Sequence, residues 1–419
     1  MVNFTIIAGG YAAALSVFSF NSETSKLSLV GTPSGGDQPG WVQVGPDHKS
    51  LFATQEVGDG GVASFSLSAT GDVQQVSRGH SSGSPASLGV LSSGKEVVVA
   101  NYDVGSITSF PIGDDGVTLG DATPILQLQG SGPNPDRQTS PHPHNVVEYG
   151  NEVLIPDLGS DKVWRLIKGS GGGYEVAGSV DMVPGSGPRH AVAEDGLLYV
   201  VHELDNTLTT YTLPQLSAPS AKFRRFLGRR CPTSTPSSTE LPSSSDVPTS
   251  TELPTSSSTD VTTSTDAPSS TTSTPAPEPT FPPSSTPTLV SSVSIVPEDG
   301  PAGSSWGGGE LVISPKNADG PRFLYASNRN VGTTDERGDP IAVASVGSDG
   351  KLAIVHEAYT GLQHVRGMAL GGDKGQYIIA AGMNGGGVAI FERQEDGDLK
   401  LLDRYTGDGS QNLASFAWV

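Results

Sequence analysis

Five side chains in this chain could work together on one small anion. They are His144 in SPHPHNVV, Arg189 in GPRHAVAEDG, Glu203 closing LYVVHEL, Arg329 in LYASNRN and Arg366 in VRGMAL. Arginine suits a carboxylate or a phosphate because its planar fork donates two parallel hydrogen bonds. A histidine and a glutamate facing one cavity can divide a proton transfer between them, with arginine charges lowering the carboxylate pKa and burial raising it. The set therefore reads as an anion-binding acid/base site, provided the fold gathers residues this far apart in the chain.

The elements that could gather them form a repeat. An apolar run reaches a small polar corner, turns through Gly, Asn or Asp, and resumes as a strand, in TIIAGGYAAALSVFSF, LFATQEVGDGGVASFSL, VVVANYDVGSITSFPI, VLIPDLGSDKVWRLI, LYVVHELDNTLTTYTL, LYASNRNVGTTDERGDPIAVASV and IIAAGMNGGGVAIFER. Weaker strands precede most copies, as in PGWVQVGPDHKS, PASLGVLSSGKE, PHNVVEYGNE and PRHAVAEDG. Once a long insert is set aside the spacing is about 45 to 55 residues, the period of a four-stranded propeller blade. The reading is all-β, a seven-bladed β-propeller of four-stranded antiparallel blades. Closing the ring removes exposed sheet edges, so one blade should combine an N-terminal strand with a C-terminal one such as NLASFAWV.

Aligned copies turn the pattern into geometry. Gly40, Ala86, His144, Arg189 and Arg366 open the first strands, while Glu56, Tyr102, Asp157, Glu203 and Arg329 close the second strands. Successive hairpin strands reverse direction, so both sets share one edge, and in a ring of blades that edge surrounds the central channel. Arg366, Glu56, Tyr102, His142 and Asp157 are the expected substrate contacts around the central set. For Asp157 and Asp161 in DLGSD a competing reading is that each caps its own tight turn, as Asp commonly does. His142 precedes a proline and could serve to orient its loop.

Composition narrows the function. The net charge of −20 offers no basic stripe for phosphates along a nucleic acid. The single cysteine, Cys231, can form no internal disulfide, and no Cys/His spacing resembles a zinc site. A reducing, cytoplasmic compartment and no metal are the expectations. The apolar N-terminus lacks a basic leader and is broken by Gly9 and Gly10, so it reads as two strands and not as a signal peptide. No apolar run reaches the roughly 18 residues of a membrane span.

The domain division expected is blades over 1–213, an insert over 214–288 and the remaining blades over 289–419. The insert is Ser/Thr/Pro-rich and should be disordered, because it cannot bury enough apolar surface to offset the entropy of ordering. Its basic run, KFRRFLGRRC, reads as a solvated charge cluster or as a contact for an acidic partner that the sequence does not specify.

The motifs SPHPHNVV with PDLGSDKVWRL, GPRHAVAEDGLLYVVHEL and FLYASNR also resemble those of the seven-bladed lactonase family, over nearly the whole chain outside the insert. That family includes propeller-type 6-phosphogluconolactonases and fungal carboxy-cis,cis-muconate cyclases. The resemblance implies that His144, Arg189, Glu203 and Arg329 form the active-site set, with the His and Glu as acid/base groups and the arginines holding an anionic substrate. It implies metal-independent and cofactor-free hydrolysis of a phosphorylated or carboxylated sugar lactone. Lactone-forming cyclisation on the same residues and a non-catalytic binding platform are the alternatives. Two departures stand out, PASLGV where a His is usual near the strand start and Asp103 where Gly is usual.

Overall fold

The computed structural model describes residues 2–68, 70–216, 286–316 and 321–419. Most of the expected insert, including the KFRRFLGRRC run and Cys231, lies outside the described residues. Those that are described form 28 strands, β1 to β28, in seven four-stranded antiparallel sheets. In six sheets the strands follow chain order. The seventh joins the termini, with β28 (Leu413–Trp418) pairing β1 (Asn3–Gly10) so that Ile6 faces Trp418 and Ala8 faces Phe416. The ring is closed as the repeat pattern required.

The apolar runs arise because each blade is covered on both faces. In β9 (Glu96–Asn101) alternate side chains point to opposite faces. Val97 and Val99 pack with Phe52, Val62 and Leu88, whereas Val98 and Ala100 pack with Ile155, Leu166 and Val153. Burying each such side chain contributes about 1.5–3 kcal/mol. Blade-to-blade packing of this kind is what holds the inner strands in place.

Those inner strands face one another around the centre: β28, β4 (Val42–Val44), β8 (Pro85–Val90), β12 (Val147–Tyr149), β16 (Pro188–Glu194), β20 (Trp306–Ile313) and β24 (Gln363–Gly371). Four of them break register near the start of the strand, at Pro85/Ser87, Pro188/His190, Gly308/Leu311, and twice between Gln363 and Gly367. A bulge interrupts the alternation of side chains and re-aims them, which is why bulges cluster beside functional sites.

The fifth blade spans the insert. Its strand β18 (Thr207–Thr212) pairs with β19 (Leu289–Ser294), Thr207 opposite Ser294, and Thr212 N donates to Thr288 O at 2.8 Å. Both flanks of the insert thus meet at one end of an ordinary outer hairpin. Among the described residues no helix is long and apolar enough to cross a membrane.

Candidate active site

Hairpin pairing brings the two residue sets to one face. The Glu203 N–H donates to Gly187 O at 2.8 Å, Tyr102 N–H to Ser84 O at 2.9 Å, Glu56 N–H to Gln38 O at 2.9 Å and His144 N–H to Pro156 O at 2.9 Å. Arg329, in β21 (Arg322–Asn330), pairs across from Gly307. A central cavity results, lined by Glu56, His144, Arg189, His190, Glu310 and Arg366. Arg189 and His190 are consecutive yet both line it. A regular strand would send them to opposite faces, and the bulge between Pro188 and His190 removes that constraint.

Glu203 is the electrostatic hub. Its Oε2 lies 3.1 Å from Arg189 Nε and 2.7 Å from Arg329 Nη2, and its Oε1 lies 2.6 Å from Arg137 Nη2. Burial alone would raise its pKa, but the charges of Arg329, Arg189 and Arg137 prevail and hold the carboxyl well below the usual range. Two of these arginines are also fixed by backbone, Arg189 Nη1 donating to Gly309 O at 2.8 Å and Arg329 Nη2 to Gly308 O at 2.7 Å. The glycine run of WGGGEL makes this possible, since a Cβ on Gly308 would stand 2.5 Å from His202 O. Burial, then the charges of Arg329 and Arg366, push Arg189 down to about 9, which leaves it charged at neutral pH.

Glu56 has the opposite balance. Burial pushes its pKa up, against the lowering effects of Arg366 and of the hydrogen bond from Tyr11. Tyr11 Oη donates to Oε1 at 3.0 Å, and Arg366 Nη2 lies 3.7 Å from the same oxygen. Gly40 must lack a side chain, because a Cβ there would meet Glu56 Oε2 at 2.0 Å. The site therefore holds one carboxyl fixed in the ionised state and one biased towards its proton.

Two imidazoles complete the cavity, with ring centroids 5.1 Å apart. Burial and then Arg189 hold His144 well below the ordinary histidine value, and its Nδ1 is buried with no hydrogen-bond partner among the described residues. His190 is likewise lowered, first by burial, with Glu310 partly opposing. His190 Nδ1 donates to Glu310 Oε1 at 2.5 Å, while its buried Nε2 has no hydrogen-bond partner among the described residues. A carboxylate that accepts from Nδ1–H fixes the tautomer and leaves the Nε2 lone pair free. Both rings are thus neutral bases at neutral pH.

The remaining expected contacts lie at the rim or beyond it. Tyr102 stacks on His142 at 4.6 Å and meets His144 edge-on at 5.6 Å. His142 Nδ1 is bonded to Tyr102 O at 3.0 Å, so this ring braces the rim. Asp157 is withdrawn from the site. Its oxygens accept from His142 N, Gly159 N, Ser160 Oγ and Trp164 Nε1 at 2.5 to 3.0 Å, and it is fully buried. These partners match the turn-capping reading of DLGSD, the alternative to a substrate contact at Asp157. Asp161 is occupied by Gln138, Gly185 and Gly187.

Four charged or polar neighbours were not singled out from the sequence: His190, Glu310, Arg137 and Tyr11. The first two follow strand bulges, which no period-2 pattern forecasts. Arg137 arrives from a loop between blades, and Tyr11 from the first hairpin.

The family model for "Lactonase, 7-bladed beta-propeller" matches residues 5–250 and 284–416, and the chain belongs to this family. The chain is 33% identical over 215 residues to the "Probable 6-phosphogluconolactonase" of Arthroderma benhamiae, a match covering 49% of this chain and 54%, about half, of that one. It is 24% identical over 393 residues to the 6-phosphogluconolactonase of Serratia proteamaculans, covering 92% of this chain and 90% of that one. The structure of the Pseudomonas aeruginosa periplasmic gluconolactonase superposes with a TM-score of 0.73 at 20% identity, over 100% of this chain and 99% of that one, a likeness of fold.

Proposed function

We propose that this protein hydrolyses an acidic sugar lactone by acid/base chemistry in the central channel. One observation carries the reading: two neutral imidazoles, His144 and His190, share a cavity with Arg189 and Arg366, and each has a buried nitrogen without a hydrogen-bond partner among the described residues. A buried polar atom left unpaired is costly unless something else supplies the bond. The 6-phosphogluconolactonase names of the Arthroderma and Serratia relatives support the same class of substrate.

In this reading a water gives its proton to His144 as its oxygen bonds to the lactone carbonyl carbon. The arginine charges offset the negative charge that develops on the carbonyl oxygen. Collapse breaks the ring C–O bond, and the imidazolium returns the proton to the departing ring oxygen, leaving a hydroxy acid. His190, aimed by Glu310, is the second nitrogen base beside the reacting atoms. Glu203 is better suited to aiming the arginines than to carrying protons, because three guanidiniums hold it ionised. This shifts to His190 part of the proton-transfer role expected of Glu203. The lone cysteine favours a reducing compartment for this work, and fractionation would test a cytoplasmic location. Hydrolysis of 6-phosphogluconolactone by purified protein, above the uncatalysed rate, tests the activity.

A further inference from the structure

Arg137 sits apart from the other arginines of the site. Its side chain is 41% exposed, whereas Arg189 is 2% and Arg329 9% exposed, so a ligand arriving from solvent meets it first. Its Nη2 donates to Glu203 Oε1 at 2.6 Å and to Tyr102 Oη at 3.4 Å, and its Nε and Nη1 have no hydrogen-bond partner among the described residues.

The segment that carries it is a rigid arm. Buried Gln138 donates through Nε2 to Leu158 O at 2.8 Å and to Asp161 Oδ1 at 2.7 Å, and its Oε1 accepts from Asn134 N at 3.1 Å. Asn134 Oδ1 in turn accepts from Arg137 N at 3.2 Å. Asp161 also holds Gly185 and Gly187 of the next blade's approach, at 2.7 and 2.8 Å. The backbone beneath Arg137 is thus tied to two blades while its guanidinium stands half in water with donors to spare. That is the disposition of a group that reads an anion before the carbonyl reaches the buried centre.

We propose that Arg137 is a specificity-determining residue that holds the substrate's anionic group remote from the lactone carbonyl, and that this group is a phosphate monoester. The assignment rests on the lactonase reading. A phosphate has more acceptor oxygens than a carboxylate and can engage the spare Arg137 donors at the mouth while the ring enters the channel.

The test compares 6-phosphogluconolactone with unphosphorylated gluconolactone for the wild type, Arg137→Ala and Arg137→Lys, with uncatalysed opening subtracted. Binding of 6-phosphogluconate, which needs no turnover, is measured alongside by calorimetry. The expected result is a fall of about 10- to 100-fold in the preference of kcat/KM for the phosphorylated substrate in Arg137→Ala, carried mainly by KM, as loss of one charge-assisted contact implies. Arg137→Lys should recover part of it, since charge survives but the fork does not. 6-Phosphogluconate binding should weaken in parallel. An equal loss on both substrates would overturn the assignment and make Arg137 a brace for Glu203, and so would an unchanged preference. A wild type inactive on both lactones, yet binding 6-phosphogluconate in an Arg137-dependent way, would overturn the lactonase reading while leaving Arg137 as the phosphate contact. Without that dependence, both fall.

Discussion

Arg189 in β16 and Glu203, just past the end of the strand Leu197–His202 that pairs with it, meet within one blade, Nε to Oε2 at 3.1 Å, both buried, and Arg329 from the next blade meets the same oxygen at 2.7 Å. A carboxylate thus staples two blades through two guanidiniums. Removing one partner of a buried ion pair typically costs about 3–5 kcal/mol, because the other charge is stranded. Glu203→Gln should therefore lower the melting temperature as well as the activity. A variant that melts like the wild type would show that the staple carries little stability.

Lysine cannot reproduce the forks at these positions. Arg189→Lys or Arg329→Lys should weaken binding of 6-phosphogluconate by about one to two decades, the equivalent of about 1.5–3 kcal/mol. Calorimetry on the two variants measures this directly, and wild-type affinity would remove the arginines from substrate binding.

Glu310 raises the His190 pKa against the lowering effect of burial. Glu310→Gln should then move the acid limb of the pH–rate profile to lower pH and reduce the rate, since the ring is less basic and less firmly held. An unshifted profile with full activity would exclude His190 from proton transfer.

His202 is buried, its Nε2 lies 2.8 Å from Thr209 Oγ1, and burial pushes its pKa down to about 3 from the ordinary 6.5. The unfolded chain takes up that proton first. Stability from this group is therefore complete above about 6.5 and is lost as pH falls towards about 3. His364, lowered to about 4 by burial and then by Arg329, acts with the same sign. Between pH 7 and 4.5 the wild type should lose about 2–3 kcal/mol more than His202→Gln, which keeps a polar group but does not titrate. Denaturant melts at the two pH values supply the comparison, and parallel losses would contradict it.

Thr212 and Thr288 are joined across the insert within one blade. Replacing residues 217–285 with a short Gly/Ser linker should leave a single cooperative melt, because loop-closure entropy changes only slowly with length. A lost transition would mean that the insert supports the ring.

The propeller was legible because blades covered on both faces write short apolar runs, as in VVVAN and VLIPD, at a steady spacing. Hairpin reversal then places Glu56, His144, Arg189, Glu203, Arg329 and Arg366 at one end of the ring. What strand periodicity could not convey was the bulging of the inner strands, which turns His190 and Glu310 into the cavity beside residues already expected there. Turn chemistry pointed to a capping role for Asp157, and its oxygens accept from four donors packed around it. Arg137 lies on a loop where no repeat pattern speaks, and only the packing of Gln138 fixes its reach.

The most direct test of catalysis in this channel is the rate of 6-phosphogluconolactone opening, with the spontaneous rate subtracted, for the wild type and His144→Ala. Among the described residues the buried His144 Nδ1 has no hydrogen-bond partner to strand, so the variant should fold, and its melt is recorded beside the rate. The wild type should show a saturable rate proportional to protein concentration, and His144→Ala a rate about two to four decades lower. A wild type no faster than the spontaneous reaction would contradict the account. Conversion of carboxy-muconate to its lactone would then move the same residues to cyclisation, and failure at both would leave a binding platform.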